Sequence, residues 1–420
     1  MATQPDLVAP FRGERYAAAD RLSRLIAPPY DVIPRDARGR LAAADEHNIV
    51  HVMLPEAPPD WAGGDKYAWA AAQLAEWRRA GVLVRDPEAA VYVMAQDFAL
   101  PSGERRTRVG MFAGLAAEGY ESRRVRPHEK THAGPKADRL ALLRATQTSL
   151  ESIFLLAPDP DGVLVAALRE VATGPPIAAA DLDGVGIRLW VVTGGALSRF
   201  PLPPSPLYIA DGHHRYETAS AYAKENPAAG QMLAFIVSAG DPGLSVLPTH
   251  RVIFGAAREP AKLLPVWERW FEVERLAAGT DRVAWLTRAG ADRTACVVAW
   301  SGGPDLGLTL RPNASLGEAV DIGKTPAVRE LDAARIEALV VKEIVRVGTT
   351  TVTIDYTPDV GAAFAKVRPG GASVAVLLNP TRVEQVFAVA DAGDAMPPKS
   401  TYFVPKVPSG VVLRPLTATE

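Results

Sequence analysis

PLYIADGHHRYETASAYAKE, residues Pro206 to Glu225, decides how the rest of the chain is read. Leu207 to Ala210 is a short apolar strand. Asp211 and Gly212 make a turn, and from Arg215 onward the spacing predicts a helix. This join places His213 and His214 near a helix N-terminus. Backbone N–H groups there have no partner inside the helix, so the place suits a phosphate or a carboxylate. Arg215 offers a planar fork for phosphate oxygens, and the histidines can donate hydrogen bonds or a proton. Asp211, at the strand's end, can hold a histidine tautomer or a metal ion. Adjacent histidines lack the i,i+4 spacing of a helical zinc site, so metal binding by that pair is the weaker reading. The plainer alternative is a capping Asp followed by two surface histidines.

Working outward, VRPHEKTHAGPKADRLALL (Val125 to Leu143) begins as an irregular stretch and turns helical after Pro135. It carries His128, Glu129, Lys130, His132 and Lys136. An ordinary Glu titrates near ~4.3, so Glu129 is charged at neutral pH and can take a proton from an alcohol held beside it. Lys130 and Lys136 can neutralise a transferring phosphate. An exposed charged loop is the competing reading. Near the C-terminus, PPKSTYF (Pro397 to Phe403) sets Lys399, Ser400 and Thr401 behind rigid prolines, with residue types that bind phosphate or a small polar substrate. LPTHRVI (Leu247 to Ile253) adds His250 and Arg251, either as a further wall of a site or as a strand end. The chain has neither GxxxxGK[ST] nor GxGxxG, so any phosphate site must be built from side chains and one helix start.

The remaining elements alternate between helix and strand. Tyr67, Ala70, Ala71, Leu74 and Trp77 recur at helical spacing, with Gly81 as the stop. Val91 to Phe98 and Arg105 to Leu115 read as a hairpin across Pro101, Ser102 and Gly103. SIFLLA (152–157), LWVVT (189–193), ACVVAW, LGLTLR, TVTIDYT and ASVAVLLN read as strands. LLPVWERWFEVERL, IEALVVKEI, AFAKV and TRVEQVFAVADAG read as helices. The expected class is α+β (mixed α/β). The expected segments are 1–125, 126–255, 256–330 and 331–420, the last closing over the site.

Composition narrows the function. Across 420 residues, 48% hydrophobic and 22% charged residues suffice for a full core. Lys+Arg 46 against Asp+Glu 48 leaves a net charge of -2, so nothing global draws the chain to nucleic acid. The single cysteine, Cys296, excludes an internal disulfide and any multi-cysteine metal site. The N-terminus has no signal-like apolar run, and no apolar stretch reaches the ~20 residues of a membrane span. No membrane partner is expected, and the expected setting is the cytosol.

Taken together, APPYDVI, HEKT with PKADRL, DGHHRYETA, LPTHR and MPPKSTYFVPK, in this order, resemble the bacterial DUF1015 family over nearly the whole chain. DGHHRYETA also resembles the phosphate-binding element of the ParB/sulfiredoxin-like fold. The archaeal ADP-dependent free L-serine kinases are similar in a proline-His-Glu loop, a DGHHR element and a C-terminal Pro-Lys-Thr-Thr segment, whose hydroxyl pair Ser400 and Thr401 match. The resemblance implies a ParB/sulfiredoxin-like core at 126–255 and a kinase that converts free L-serine to O-phosphoserine. By it, Glu129 activates the hydroxyl, with His128 and His214 beside it. Asp211, Gly212, His213, His214 and Arg215 hold donor phosphates, helped by Lys130, Lys136 and Lys399. Ser400, Thr401, His250 and Arg251 bind the substrate. Mg²⁺ is expected, with Asp211 as its ligand, and the donor is pyrophosphate, ADP or ATP. The long N-terminal segment and the stretch around 256–330 depart from the archaeal pattern. Two other readings stand beside this one. One is a kinase for another small hydroxy acid, and the other a nucleotide-binding, DNA-associated regulatory module. Sulfiredoxin-type repair would need a cysteine beside the arginine, and Cys296 lies in an apolar strand instead.

Overall fold

The computed structural model describes residues 6–131, 133–255, 260–320, 323–345 and 352–416. The chain forms two compact units, Met1–Leu244 with Pro405–Glu420, and Ser245–Val404. The four segments suggested by the sequence are thus redistributed, because long-range strand pairing interleaves them. Arg105–Ala116 pairs with Gln231–Ser238 inside the first unit, and Val374–Leu378 lies between Ala295–Trp300 and His250–Phe254 inside the second.

The first unit is built on a mixed nine-stranded sheet among the described residues. Its order is Val125–Arg126, Leu207–Asp211, Ile153–Ala157, Gln231–Ser238, Arg105–Ala116, Val91–Ala99, Val185–Val192 and Ala178–Leu182, with Val8–Ala9 added on Arg105–Ala116. The expected hairpin forms with Tyr92 opposite Phe112 and Ala99 opposite Arg105. Strand periodicity sends Val91, Val93 and Ala95 into one core with Met111, Ala113, Ile209 and Ile236. The helices Val163–Val171 and His213–Glu225 close that face through Leu164, Leu168, Tyr216 and Ala219. Burying each large apolar side chain there contributes about 1.5–3 kcal/mol. The opposite face carries an aromatic layer. Phe112 and Phe154 both pack on Phe235, at centroid distances of 4.9 and 5.9 Å. The helix Ala133–Thr146 packs between Lys66–Arg79 and His213–Glu225.

The second unit has a six-stranded antiparallel sheet among the described residues, ordered Phe271–Arg275, Leu306–Leu310, Ala295–Trp300, Val374–Leu378, His250–Phe254 and Thr353–Thr357. Both faces are buried along its central strand, which is why Val374–Leu378 is apolar throughout. Val374, Val376 and Leu378 join one core with Trp267, Phe271 and Ile336, whereas Ala375 and Leu377 join another with Trp285 and Ala363. LLPVWERWFEVERL corrects one expectation, since it is not a single helix. The helix Pro260–Trp267 ends, and Phe271–Arg275 is a strand on Leu306–Leu310. Phe271 and Val273 alternate with Glu272 and Glu274, so a period of two prevails over the helical spacing once a sheet edge is there to pair with. IEALVVKEI is helical, with a π-helical stretch at Glu337–Val341.

Candidate functional site

The strand Leu207–Asp211 buries Leu207 and Ile209 and ends in a register shift between Ile209 and Asp211 against Ile153–Ala157. Ala210 is the extra residue, and such an irregularity re-aims the next side chain. Gly212 follows at φ 95°, in the left-handed region, and caps the helix His213–Glu225. Arg215 folds back across it. Its Nη2 donates to Asp211 Oδ2 at 2.7 Å, and its Nη1 donates to the Ser152 carbonyl. Its Nε is buried without a hydrogen-bond partner. The fork expected to face open phosphate is therefore occupied by the turn's own carboxylate.

The loop bearing Glu129 lies against the same helix start. Val125–Arg126 runs parallel to Leu207–Tyr208, which carries the chain past the end of the strand. The His128 backbone N–H donates to His213 Nε2 at 3.3 Å, and the two rings meet edge to face at 4.7 Å. Three residues on, Thr131 donates to Glu217 Oε2 at 2.7 Å. Glu129 is half-buried between these two anchors, and Lys130 is exposed. Lys136 sits on Glu217 at 2.7 Å, one turn along from the DGHHR turn. His214 is half-buried, and its carbonyl accepts from Thr218. His132 lies outside the described residues.

Electrostatics separate the groups. Burial pushes His128 down to about 4. Burial, then the neighbouring His128, pushes His213 well below its usual range. Both rings are thus neutral at pH 7. Burial alone would raise the Asp211 carboxyl, but Lys406 and Arg215 overcome it and hold it below the usual carboxylate range.

Lys406 was not assigned a role from the sequence. Its Nζ donates to Asp211 Oδ1 at 3.0 Å, across 195 residues of chain. Arg139, Glu151 and Tyr30 were also missed. Glu151 accepts from the Tyr30 backbone N–H at 3.0 Å and lies 3.7 Å from Arg139, whose guanidinium covers the Tyr30 ring at 4.4 Å. Burial raises the Glu151 carboxyl against the pull of Arg215 and Arg139. The only sequence signal for Tyr30, Arg139 and Lys406 was their place in APPYDVI, PKADRL and the second Pro-Lys of MPPKSTYFVPK, and Glu151 had none.

The other expected residues belong to the second unit. His250 is buried, its Nδ1 accepting from the Leu378 N–H at 3.2 Å, and burial lowers it to about 4. Arg251 is buried beside Glu337 at 3.7 Å and over the Tyr356 ring at 5.6 Å. Lys399 is exposed at φ 56°. Ser400 is buried, its Oγ donating to the Pro397 carbonyl at 2.7 Å and its carbonyl accepting from Thr381 at 2.8 Å. Thr401 is half-buried.

Asp211 does not fit a resident divalent cation. Each of its oxygens already meets a cationic side chain, and among the described residues no group of three or more His, Cys, Asp or Glu side chains gathers to hold a metal. No helix of the described residues is long and apolar enough to cross a membrane.

No curated protein matches the chain at a significant level. Several solved structures are similar at low identity. A mutant free serine kinase in complex with AMP is 11% identical, with 70% of this chain and 87% of that one covered and a TM-score of 0.36. A conserved hypothetical protein from Pyrococcus furiosus is 14% identical, covering 71% and 93%, with a TM-score of 0.34. A C-terminally truncated SbnI from Staphylococcus aureus is 12% identical, covering 70% and 84%, with a TM-score of 0.36. Residues 8–334 match the family described as "Protein of unknown function (DUF1015)", and the chain belongs to that family.

Proposed function

We propose that this protein is a small-molecule kinase that moves a phosphoryl group from pyrophosphate, ADP or ATP to the hydroxyl of free L-serine. One observation carries the reading. The loop holding Glu129 is tied on both sides, through His128 and Thr131, to the helix that begins at the DGHHR turn. A carboxylate base and a helix start suited to phosphate therefore share one neighbourhood.

In this reading, donor phosphates lie at the N-terminus of His213–Glu225, where the helix dipole favours negative charge. Arg215 acts by holding Asp211 and the turn rather than by gripping phosphate itself. His128 and His213, both neutral, hold the loop against the helix start without adding charge there. Glu129 accepts the proton of the serine hydroxyl as its oxygen attacks the terminal phosphorus. The bond from that phosphorus to the bridging oxygen breaks, and its electron pair leaves with the remaining phosphate or nucleotide. O-phosphoserine and a donor shorter by one phosphoryl group are the products.

The test is incubation of the full chain with L-serine and each donor in turn, followed by mass spectrometry for phosphoserine. Formation with at least one donor is expected. Absence with all three overturns the reading. Threonine, homoserine and glycerate in place of serine test the choice of acceptor.

A further inference from the structure

A second polar cleft of the first unit plays no part in the proposed chemistry. The strand pair Glu14–Tyr16 with Leu83–Arg85 sets Arg85 opposite Glu14. Both residues line a cleft of about 290 Å³, close to the ~300 Å³ at which small-molecule sites begin. Ala71 and Arg78 of the helix Lys66–Arg79, and Ala145 and Thr146 of the helix Ala133–Thr146, form further walls. The second of these helices begins just beyond Thr131. Its 14 residues, about 20 Å at 1.5 Å each, therefore lie between this cleft and the Glu129 loop.

The cleft holds a guanidinium that the fold itself does not use. Nε and Nη2 of Arg85 are both buried without a hydrogen-bond partner. The carboxylates beside it are committed elsewhere. Glu14 accepts from Arg78 Nε at Oε1, 3.0 Å, and from Arg78 Nη2 at Oε2, 2.8 Å. Asp86, the next residue in sequence, accepts from Arg15 at 2.9 Å and from the Tyr92 hydroxyl at 2.7 Å. Among the charged side chains lining the cleft, Glu14 and Arg78 therefore cancel, and Arg85 leaves one positive charge. Nε–H and Nη2–H of one guanidinium are parallel donors, spaced to meet the two oxygens of a carboxylate. A buried donor pair left unmade is costly, so the place favours a ligand that satisfies it. The helix end supplies the opposite polarity. The last carbonyls of Ala133–Thr146 have no partner within the helix and carry partial negative charge. Thr148 donates to the Thr146 carbonyl at 2.9 Å, whereas among the described residues the Ala145 carbonyl has no backbone partner beyond the helix. That polarity disfavours a phosphate dianion beside Arg85 and suits a molecule that carries a carboxylate and an ammonium together.

We propose that this cleft is a second ligand site, which takes a free α-amino acid with its carboxylate on Nε and Nη2 of Arg85 and its ammonium toward the carbonyl end of Ala133–Thr146. The site lies apart from the Glu129 loop and the DGHHR turn, and it does not depend on the kinase reading. The Thr146 hydroxyl is not an anchor, since it already donates to the Leu142 carbonyl at 2.8 Å.

The test uses the full chain and its Arg85→Met and Ala71→Phe variants. Methionine removes the donors, and phenylalanine fills the cleft while leaving Arg85 in place. The common amino acids are screened singly by thermal shift. Each that stabilises the wild type is titrated by calorimetry into all three proteins, with acetate and inorganic phosphate as comparison probes and circular dichroism as the check on folding. At least one amino acid should bind the wild type, more tightly than acetate does. Loss of the charge-assisted pair should weaken it by about 10- to 100-fold in Arg85→Met, and Ala71→Phe should abolish it. Without ligand, Arg85→Met should unfold no earlier than wild type, because Arg85 makes no hydrogen bond through Nε or Nη2 that the fold would lose. Failure of every amino acid to bind overturns the proposal, as does affinity within twofold of wild type in either folded variant. Phosphate binding tighter than any amino acid and lost in Arg85→Met overturns it in favour of a phosphate site. The proposed kinase site would also take L-serine, so for serine only the Arg85-dependent part counts. Phosphoserine formation should be unchanged in Arg85→Met, and a wild type that forms none leaves the affinity comparison to decide this cleft.

Discussion

Gly212 shows how much one residue can carry. At φ 95° an L side chain costs about 1–2 kcal/mol, and a Cβ there would sit 3.0 Å from the guanidinium carbon of Arg215. Gly81, at φ 72°, has nothing within 4 Å of an added Cβ. Gly81→Ala should therefore cost the backbone strain alone. Gly212→Ala should cost more and also weaken pyrophosphate binding, because Arg215 is displaced from Asp211. Urea unfolding of both variants checks this, and equal losses in the two would contradict it. Residue identities at this turn were legible in the sequence, but their partners were not. DGHHR announces a strand, a turn and a helix by local chemistry. Nothing local reveals that Arg215 is taken by the Ser152 carbonyl, 63 positions away, or Asp211 by Lys406, 195 positions away.

At the scale of elements, the loop after Val125–Arg126 and the start of His213–Glu225 meet through two buried imidazoles. An imidazole kept neutral by burial binds its proton more weakly folded than unfolded. As pH falls, the unfolded chain takes up protons first, so stability drops. For His128 the stabilisation is complete above its unfolded value near ~6.5 and is lost as pH falls toward about 4. It amounts to on the order of 3 kcal/mol, and His213 acts in the same direction. Chemical unfolding at stepped pH should show a steady midpoint between pH 7 and 8, a fall below about 6.5, and a shallower fall in His128→Asn. A flat midpoint down to pH 4 would contradict the assignment. Most elements were legible from periodicity, including the hairpin Val91–Ala99 with Arg105–Ala116 and the helix Lys66–Arg79. FEVER was not, because in a short amphipathic run spacing alone does not separate helix from strand. The partner strand Leu306–Leu310 decides it.

For the molecule as a whole, a net charge of -2 conceals a cluster of largely buried charges in the first unit, where Arg139, Arg215 and Lys406 face Glu151 and Asp211. The order of motifs along the chain made the family recognisable. The grouping into Met1–Leu244 with Pro405–Glu420 and Ser245–Val404 was not legible, because strand pairing between distant segments sets it. The proposed general base is Glu129, in the first unit. The most direct measurement is the rate of phosphoserine formation by Glu129→Gln against wild type, with donor affinity followed in parallel. A fall of about 10²–10⁴ in turnover with donor affinity within a few-fold is the predicted result. Turnover equal to wild type in the Glu129→Gln protein, or no phosphoserine from wild type with any of the three donors, would contradict it.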